Sequence, residues 1–164
     1  MQIHITADDA RAQGLLDQIQ RRGHALQPVL SEIGEIARTG IERTFAAGGR
    51  PHTWSPSARV RREGGQTLSD TGRLRRSFSV QTGAHQVAVG TNVAYAAPLH
   101  FGAKIGPHVI RPRAGRALFW PGAAHPVKQV RHPGCTIPAR PFLLVAAEDW
   151  PKIHRALLRH VTGG

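Results

Sequence analysis

The strongest constraint on the fold is a stripe of apolar residues between Leu26 and Phe45, which recur at the three- and four-residue spacing of one helix face. Pro28 suits the first turn of this helix, and Gly48 with Gly49 suits its end. A helix with such a stripe needs a second apolar surface against which to bury it. The stripe consists of Leu26, Val29, Leu30, Ile33, Ile36, Ala37, Ile41 and Phe45.

Two further helices are predicted, one towards each end of the chain. The first is capped by Asp8 or Asp9 and runs to about Arg22, because Gly23 follows. The last covers residues 146–160. The expected buried positions are Leu15, Leu16 and Ile19 in the first helix, and Ile153, Leu157, Leu158 and Val161 in the last.

Alternating apolar residues in 77–92 predict two strands joined by a turn at Gly83, preceded by a short helix over residues 71–77. Further strands are expected in parts of 108–132 and in 142–146. The predicted fold class is therefore α+β, with an antiparallel β-sheet packed against a long N-terminal amphipathic helix and a C-terminal helix, and with an extended basic β-arm. The chain is expected to form a single domain, residues 1–164.

The positive charge of the chain is unevenly distributed. The net charge is +12, of which residues 1–47 contribute −1 and residues 48–164 contribute +13. Residues 107–134 combine five prolines with five cations and no acid, which predicts the extended arm. Such a charge favours a polyanionic partner or an acidic protein surface, and a solvated basic face is the alternative. The candidate contacts with another subunit or partner are Arg111, Arg113, Arg116, Lys128 and Arg131.

The loop from Arg50 to Thr67 contains Trp54 near a cluster of arginines. An aromatic residue among basic residues can bind nucleic acid. The alternative, which we favour, is a proline-containing loop fixed by one buried tryptophan.

The stretch NVAYAAPLHFGAK, residues 92–104, predicts a corner where a strand leads into a short helix. His100 could serve catalysis or metal binding there, but no Ser-His-Asp, Cys-His or His-Glu-His spacing accompanies it. We therefore favour a packing role for this corner. We expect Tyr95 and Phe101 to anchor it and Gly102 to end the short helix. A second part of this structural corner is Arg140 and Pro141, which lead into an interior segment beginning at Phe142.

Several classes of protein are disfavoured by composition. The single Cys135 excludes an internal disulfide, no apolar run reaches the ~18 residues of a membrane span, and no secretory signal is visible. We therefore expect a soluble protein made in a reducing cytoplasm, without membrane contact. Only four acids lie beyond residue 47, which leaves little for two-carboxylate or magnesium-dependent catalysis. We expect no enzymatic activity, no cofactor and no metal.

Three motifs in order resemble the phage virion morphogenesis family, also called the phage tail completion family. They are LSDTGRLRRSFSV, VAVGTNVAYAAPLHFGA and IPARPFLLVAAEDWPKI, and the resemblance covers residues 26–160. One position departs from the family pattern, because Leu99 occupies the place of the family's histidine and His100 is displaced by one residue. The matching residues are Thr71, Gly72, Leu74, Ser77, Val89, Gly90, Thr91, Asn92, Tyr95, Ala96, Phe101, Gly102, Ala139, Arg140, Pro141, Phe142 and Leu143.

The resemblance implies a non-enzymatic structural protein of the virion that acts in tail completion or head–tail joining. It implies a homo-oligomeric ring in the neck, expected to be a hexamer, with neck and tail proteins and packaged DNA as partners. The protein would then be located in the virion tail or neck, and in the host cytoplasm during assembly. A basic nucleic-acid-binding module is the alternative function, supported by charge alone.

Overall fold

The computed structural model describes residues 9–113 and 115–163, which form an α+β fold of helices and small antiparallel sheets, as the predicted class requires. Contacts divide the chain into two compact units: unit 1 is residues 1–93 with 142–164, and unit 2 is residues 94–141. The helices are α1 (Asp9–His24), α2 (Gln27–Ala46), α3 (Ala58–Glu63), α4 (Ala96–Phe101) and α5 (Trp150–Thr162). The strands are β1 (Phe78–Thr82), β2 (Val87–Thr91), β3 (Ala103–Ile105), β4 (His108–Ile110), β5 (Val130–His132) and β6 (Cys135–Ile137).

Unit 1 is organised around α2, which contacts the β1–β2 hairpin on one side and α5 on another. The hairpin pairs Phe78 with Thr91 and Thr82 with Val87, and its turn is closed by the Gly83 amide, which donates to the Gln86 carbonyl at 2.8 Å. Gly34 allows α2 to approach the hairpin closely, because a β-carbon there would lie 2.8 Å from the Val87 side chain.

The centre of unit 1 is a cluster of aromatic rings. The Phe45 ring lies 5.4 Å from Trp54, 6.0 Å from Phe78 and 5.5 Å from Phe142, measured between ring centroids. Phe142 is only 1% exposed, and Ile41 is also buried. The burial of Trp54 agrees with the favoured interpretation of its loop, in which a buried tryptophan fixes the segment.

A buried carboxylate connects α5 to α2. Asp149, directly before α5, is 1% exposed and accepts a hydrogen bond from Lys152 Nζ at 2.6 Å. Its two oxygens also pair with Arg43 Nη1 at 3.6 Å and Arg50 Nη2 at 3.5 Å. Burial of this charge is tolerated because cations surround it.

Unit 2 contains a two-stranded ribbon, residues 103–137, whose antiparallel pairings are nested. β3 pairs with β6, and β4 pairs with β5. Leu118 and Val127 form a further antiparallel bridge, in which each amide donates to the other residue's carbonyl at 2.8 and 3.0 Å. The chain therefore runs out and back between residues 103 and 137.

The prediction of one sheet was wrong, because the strands of the described residues form three separate two-stranded sheets. Residues 142–146 form no strand, and of the segment expected in the interior Leu143 and Val145 are exposed. Pro138 and Pro141 lack the amide hydrogens that a sheet ladder requires, which opposes continuation of β6 into this segment. A short apolar run could not by itself distinguish a strand from an irregular segment.

Several helix predictions also need correction. Residues 71–77 form turns rather than a helix, because Ser77 Oγ bonds to the Leu74 carbonyl and to Thr91 Oγ1 at the base of the hairpin. The predicted loop from Arg50 to Thr67 contains α3, which begins where Ser57 Oγ accepts the Val60 amide at 3.3 Å.

The terminal helices differ from their predicted limits and faces. α1 extends through Gly23 to His24, and α5 begins at Trp150 rather than at residue 146. The capping role of Asp8 lies outside the described residues. Of the expected buried positions of α5, Ile153 is buried as predicted, together with Ala156, which was not expected. The side chains that were expected to be buried and are instead exposed are Leu15, Leu16, Ile19, Leu157, Leu158 and Val161.

None of the described helices combines the length and apolar character that crossing a membrane requires.

Candidate interaction surfaces

The outer end of the ribbon is a turn that presents two aromatic side chains. Beyond the Leu118–Val127 bridge, the Ala123 amide donates to the Trp120 carbonyl at 3.0 Å. Pro121 and Gly122 occupy the two central positions of this four-residue turn, and Gly122 has a φ of 91°, which glycine adopts without strain. Phe119 is 67% exposed and Trp120 is about half exposed. We call Phe119 and Trp120 the aromatic tip.

The five cations predicted as contacts are all exposed on the ribbon. Arg111 donates from Nε to Gln129 Oε1 at 3.4 Å, across the two chains of the ribbon. Unit 2 contains seven Lys and Arg residues and no Asp or Glu, whereas the remainder of the protein has 15 cations and all ten acids. The ribbon is therefore a cationic surface suited to anionic or acidic partners.

The predicted corner residues of unit 2 are brought together where α4 ends. The Arg140 amide donates to the Leu99 carbonyl at 2.9 Å, so the two motifs AYAAPLHFGA and IPARPF meet here. Gly102 has a φ of 78°, and a β-carbon on it would lie 2.9 Å from the Ala139 nitrogen. Arg140 is buried. Phe142, the last of these predicted residues, belongs to unit 1.

Two of the expected anchors of this corner are at the surface. Phe101 is 76% exposed and Tyr95 is also exposed, so the prediction that they anchor the corner was wrong. α4 has only six residues and its buried position is Ala96, which leaves its last residue, Phe101, in solvent. The close backbone contacts of Gly102 and Arg140, rather than aromatic packing, hold the corner.

His100 lies against Phe101, with ring centroids 4.5 Å apart in an edge-to-face arrangement. Partial burial lowers the pKa of His100 below its ordinary value of 6.5, which favours the neutral ring at pH 7. His108 and His132 are stacked across β4 and β5 with ring centroids 5.0 Å apart. Within residues 9–113 and 115–163, no three His, Cys, Asp or Glu side chains are grouped as a metal site would require.

α5 presents a second, outward apolar surface in unit 1. Ile153 and Ala156 face the core, while Leu158 is 64% exposed. A depression of about 410 Å³ on this side is lined by His154, Leu157, Leu158 and Val161. We call these four residues the outer face of α5. An amphipathic helix at a protein surface usually has polar residues on the side that faces solvent. An apolar surface on that side is therefore unusual for an isolated subunit.

A second basic surface lies in and after α3. Arg59 is tied to the loop, because its Nη2 donates to the Gln66 carbonyl at 2.8 Å. Trp54 is buried and is not available for stacking on bases. The aromatic contact of the alternative nucleic-acid-binding interpretation is therefore lost. The exposed arginines of this region are Arg61, Arg62, Arg73, Arg75 and Arg76.

Sequence reasoning missed the aromatic tip and the outer face of α5. The dipeptide Pro121-Gly122 is a readable turn signal, and it would have located the tip between two extended segments. No comparable signal marks the outer face, because apolar periodicity identifies a face without saying what covers it.

Comparison with known proteins agrees with the motif order. Residues 7–162 match the phage virion morphogenesis family. The chain is also similar to the Mu-like prophage FluMu G protein 2 of Haemophilus influenzae, with 28% identity over 141 residues, covering 84% of this chain and 82% of that protein. No solved structure matches the chain. Because the family match spans nearly the whole sequence, the resemblance is confirmed, and the chain belongs to the phage virion morphogenesis family.

Proposed function

We propose that this protein completes the phage tail at the end that faces the head, as a ring-forming component of the neck. Membership of the virion morphogenesis family supports a role in phage assembly. The observation that carries this proposal is the ribbon, which combines six cations and no acid with an exposed aromatic tip.

A surface of this composition suits contact with other proteins. Cations steer association and select acidic partners, while exposed aromatic residues supply contact area once water is excluded. Unit 1 contains its own aromatic core, so the ribbon is not needed to complete that core. The proposed partners are further copies of this chain in a hexameric ring, and the neck and tail proteins on either side. Packaged DNA passing through such a ring would be a further anionic contact.

The proposal is tested in a phage or prophage that carries this gene. The variant Arg111→Gln/Arg113→Gln/Arg116→Gln removes three exposed charges from the ribbon. The matched control, Arg62→Gln/Arg73→Gln/Arg75→Gln, removes three exposed charges from unit 1. Electron microscopy of induced lysates should find separate heads and tails with the ribbon variant and joined particles with the control. Joined, infectious particles with the ribbon variant at the normal yield would overturn the role of the ribbon in joining.

A nucleic-acid-binding function is the second candidate, and the exposed arginines of α3 and the following turn favour it. Binding through phosphate contacts would weaken steeply with salt, by about 0.9 in the logarithmic slope for each phosphate neutralised. Duplex binding that loses most of its salt dependence in the Arg62/Arg73/Arg75 variant, together with normal head–tail joining in the ribbon variant, would make this function the better account.

A further inference from the structure

The β1–β2 hairpin of unit 1 has two edges that no third strand of the described residues covers. In an antiparallel pair, the backbone groups of successive residues point alternately towards the partner strand and away from it. The Gly83 amide donates to the Gln86 carbonyl, which places the next pair, Thr82 and Val87, among those that point away. The residues whose amides and carbonyls point outwards are therefore Phe78, Val80 and Thr82 on β1, and Val87, Val89 and Thr91 on β2.

These outward groups remain unpaired within the chain. Across residues 9–113 and 115–163, no backbone hydrogen bond joins the outer edge of β1 or β2 to another segment. An amide or carbonyl at such an edge is a template for pairing with another strand. The hairpin therefore presents a row of free donors and acceptors on each side.

Neither edge has the features by which natural proteins protect exposed strands from pairing, which are charged side chains, prolines and bulges. The register of β1 with β2 is unbroken. Residues 77–103 are the longest run of the sequence without Asp, Glu, Lys or Arg, although 20% of the chain is charged. The ribbon differs, because β3 contains Lys104 and β5 contains Arg131. The hairpin edges are thus open to strand addition.

We infer that the hairpins of neighbouring copies join edge to edge, with β2 of one copy paired to β1 of the next, so that one sheet continues from subunit to subunit. The inference rests on the proposed ring and names the surface that joins its subunits. Strand addition supplies affinity through main-chain hydrogen bonds. Three outward residues on each edge, each with one amide and one carbonyl, allow up to about six such bonds at a junction.

Charge selects a second copy as the occupant of these edges. Each chain has a net charge of +12, so two copies repel each other, and the repulsion is smallest where neither contacting surface carries charge. Both edges of the hairpin meet that condition, since β1 and β2 contain no Asp, Glu, Lys or Arg. An acidic partner would instead be selected by the cations of the ribbon.

The geometry of unit 1 also suits a sheet that continues through a ring. Because β1 and β2 are antiparallel, copies repeated in one orientation present β1 antiparallel to the β2 that precedes it. Such a contact is heterologous and uses both edges of every hairpin, whereas pairing of β2 with β2 would stop at a dimer. Two strands span about 10 Å, which is close to the roughly 10–12 Å diameter of a helix. Since α2 contacts both strands, each copy can cover its own part of the sheet.

Residue-resolved hydrogen exchange of the full-length protein, measured over a range of concentrations, tests the inference without any substitution. The inward amides of Ser79, Gln81 and Ala88 are bonded within the hairpin and should be protected at every concentration. The outward amides of Val80 and Val89 should exchange rapidly in the monomer and at least about tenfold more slowly in the assembled protein. The alternating pattern of protection should therefore disappear as the ring forms.

Two proline variants test the two edges separately by sedimentation velocity. Thr82→Pro blocks the edge of β1 and Val89→Pro blocks the edge of β2, and neither removes a hydrogen bond within the hairpin, because both amides point outwards. The matched controls are Thr82→Ala and Val89→Ala, which shorten the same side chains and keep the amides. The intact protein and both controls should form a discrete multimer. Each proline variant alone should be monomeric, with self-association at least about tenfold weaker.

An equimolar mixture of the two proline variants should form a dimer and stop there. In the mixture, the intact β2 edge of Thr82→Pro pairs with the intact β1 edge of Val89→Pro, while the other two edges are blocked. Formation of this dimer would also show that both variants are folded, since misfolded chains could not complement each other.

Three results would overturn the inference while leaving the ring intact. The outward amides could stay unprotected in the assembled protein, or the proline variants could assemble like their alanine controls. Either proline variant could also form a dimer by itself, which would mean that an edge pairs with its own copy rather than β2 with β1. A different result, an intact protein that stays monomeric at every concentration, would overturn the proposed ring together with the inference.

Discussion

The two units of this protein bury different proportions of their large apolar residues. Unit 1 buries Phe45, Phe142 and Ile41 around α2. It also buries the carboxylate of Asp149. In unit 2 the described residues that are buried are Ala96 and Arg140, while its phenylalanines and tryptophan are exposed. Stability measured on the isolated chain should therefore come mainly from unit 1, while substitutions in the exposed part of unit 2 should affect contacts with other molecules.

The largest expected difference in stability between the units comes from replacing one phenylalanine in each. Phe142→Ala should lower the free energy of unfolding by about 3–5 kcal/mol, because a fully buried ring leaves a cavity that the neighbouring rings only partly fill. Phe101→Ala, the same change at an exposed position of unit 2, should have little effect. Chemical denaturation of both variants measures the contrast. Equal losses would contradict the assignment of the core to unit 1.

Asp149 tests whether the buried ion cluster stabilises unit 1. Asp149→Asn should lower the free energy of unfolding by about 3 kcal/mol, since it leaves Arg50 and Lys152 facing a neutral amide in a buried position. Glu148 also pairs with Arg50 but is exposed, so Glu148→Gln should cost less than about 1 kcal/mol. Similar values for both variants, again from denaturant unfolding, would mean that burial of Asp149 adds nothing.

Two glycines on helices of unit 1 should respond in opposite directions. Gly34→Ala should destabilise by about 1–3 kcal/mol, because the added methyl group would overlap the Val80 and Val87 side chains of the hairpin. Gly14→Ala in α1 meets nothing within 4 Å and should stabilise by up to about 1 kcal/mol through helix propensity. Thermal unfolding of both variants is sufficient. A stabilising Gly34→Ala would show that α2 and the hairpin are farther apart than described.

The smallest expected effect concerns His100 in unit 2. Because burial lowers its pKa below 6.5, the folded state binds fewer protons than the unfolded state as the pH falls, and the stability that comes from the neutral ring is lost. The intact protein should therefore lose slightly more stability than His100→Gln between pH 7 and pH 5, with no such difference above about pH 7. His85→Gln, at an exposed position in the hairpin turn, is the control. A pH profile unchanged by His100→Gln would exclude this contribution.

Local sequence patterns predicted the helices and strands of unit 1 better than they predicted the contacts between these elements. The stripe from Leu26 to Phe45 predicted α2 closely, and alternation predicted the β1–β2 hairpin, because both signals arise within one element. The pairing of Arg50 with Asp149 could not have been predicted, since the two residues are 99 positions apart in sequence. Nor did the apolar count of α5 say which of its two sides faces the core.

In unit 2, residue composition predicted an extended basic segment but not which strands pair. Prolines and cations in 107–134 indicated an extended basic segment, yet the nested pairings of β3 with β6 and β4 with β5 depend on contacts between distant strands. The expected burial of Tyr95 and Phe101 failed for a related reason, since the family motif identifies which residues recur and not whether a subunit or its partner covers them. The five cations of the arm were predicted as contacts from composition, whereas the aromatic tip follows from exposure, which only the structure supplies.

Hydrogen exchange at several protein concentrations tests most directly the claim that unit 1 provides stability and the ribbon provides contacts. The amides of α2 should be equally protected at all concentrations, because the core of unit 1 is complete within one chain. The amides of Leu118 and Val127, together with those of β4 and β5, should gain protection only as the protein assembles. Protection that rises in α2 while the ribbon amides stay unchanged during assembly would contradict the account.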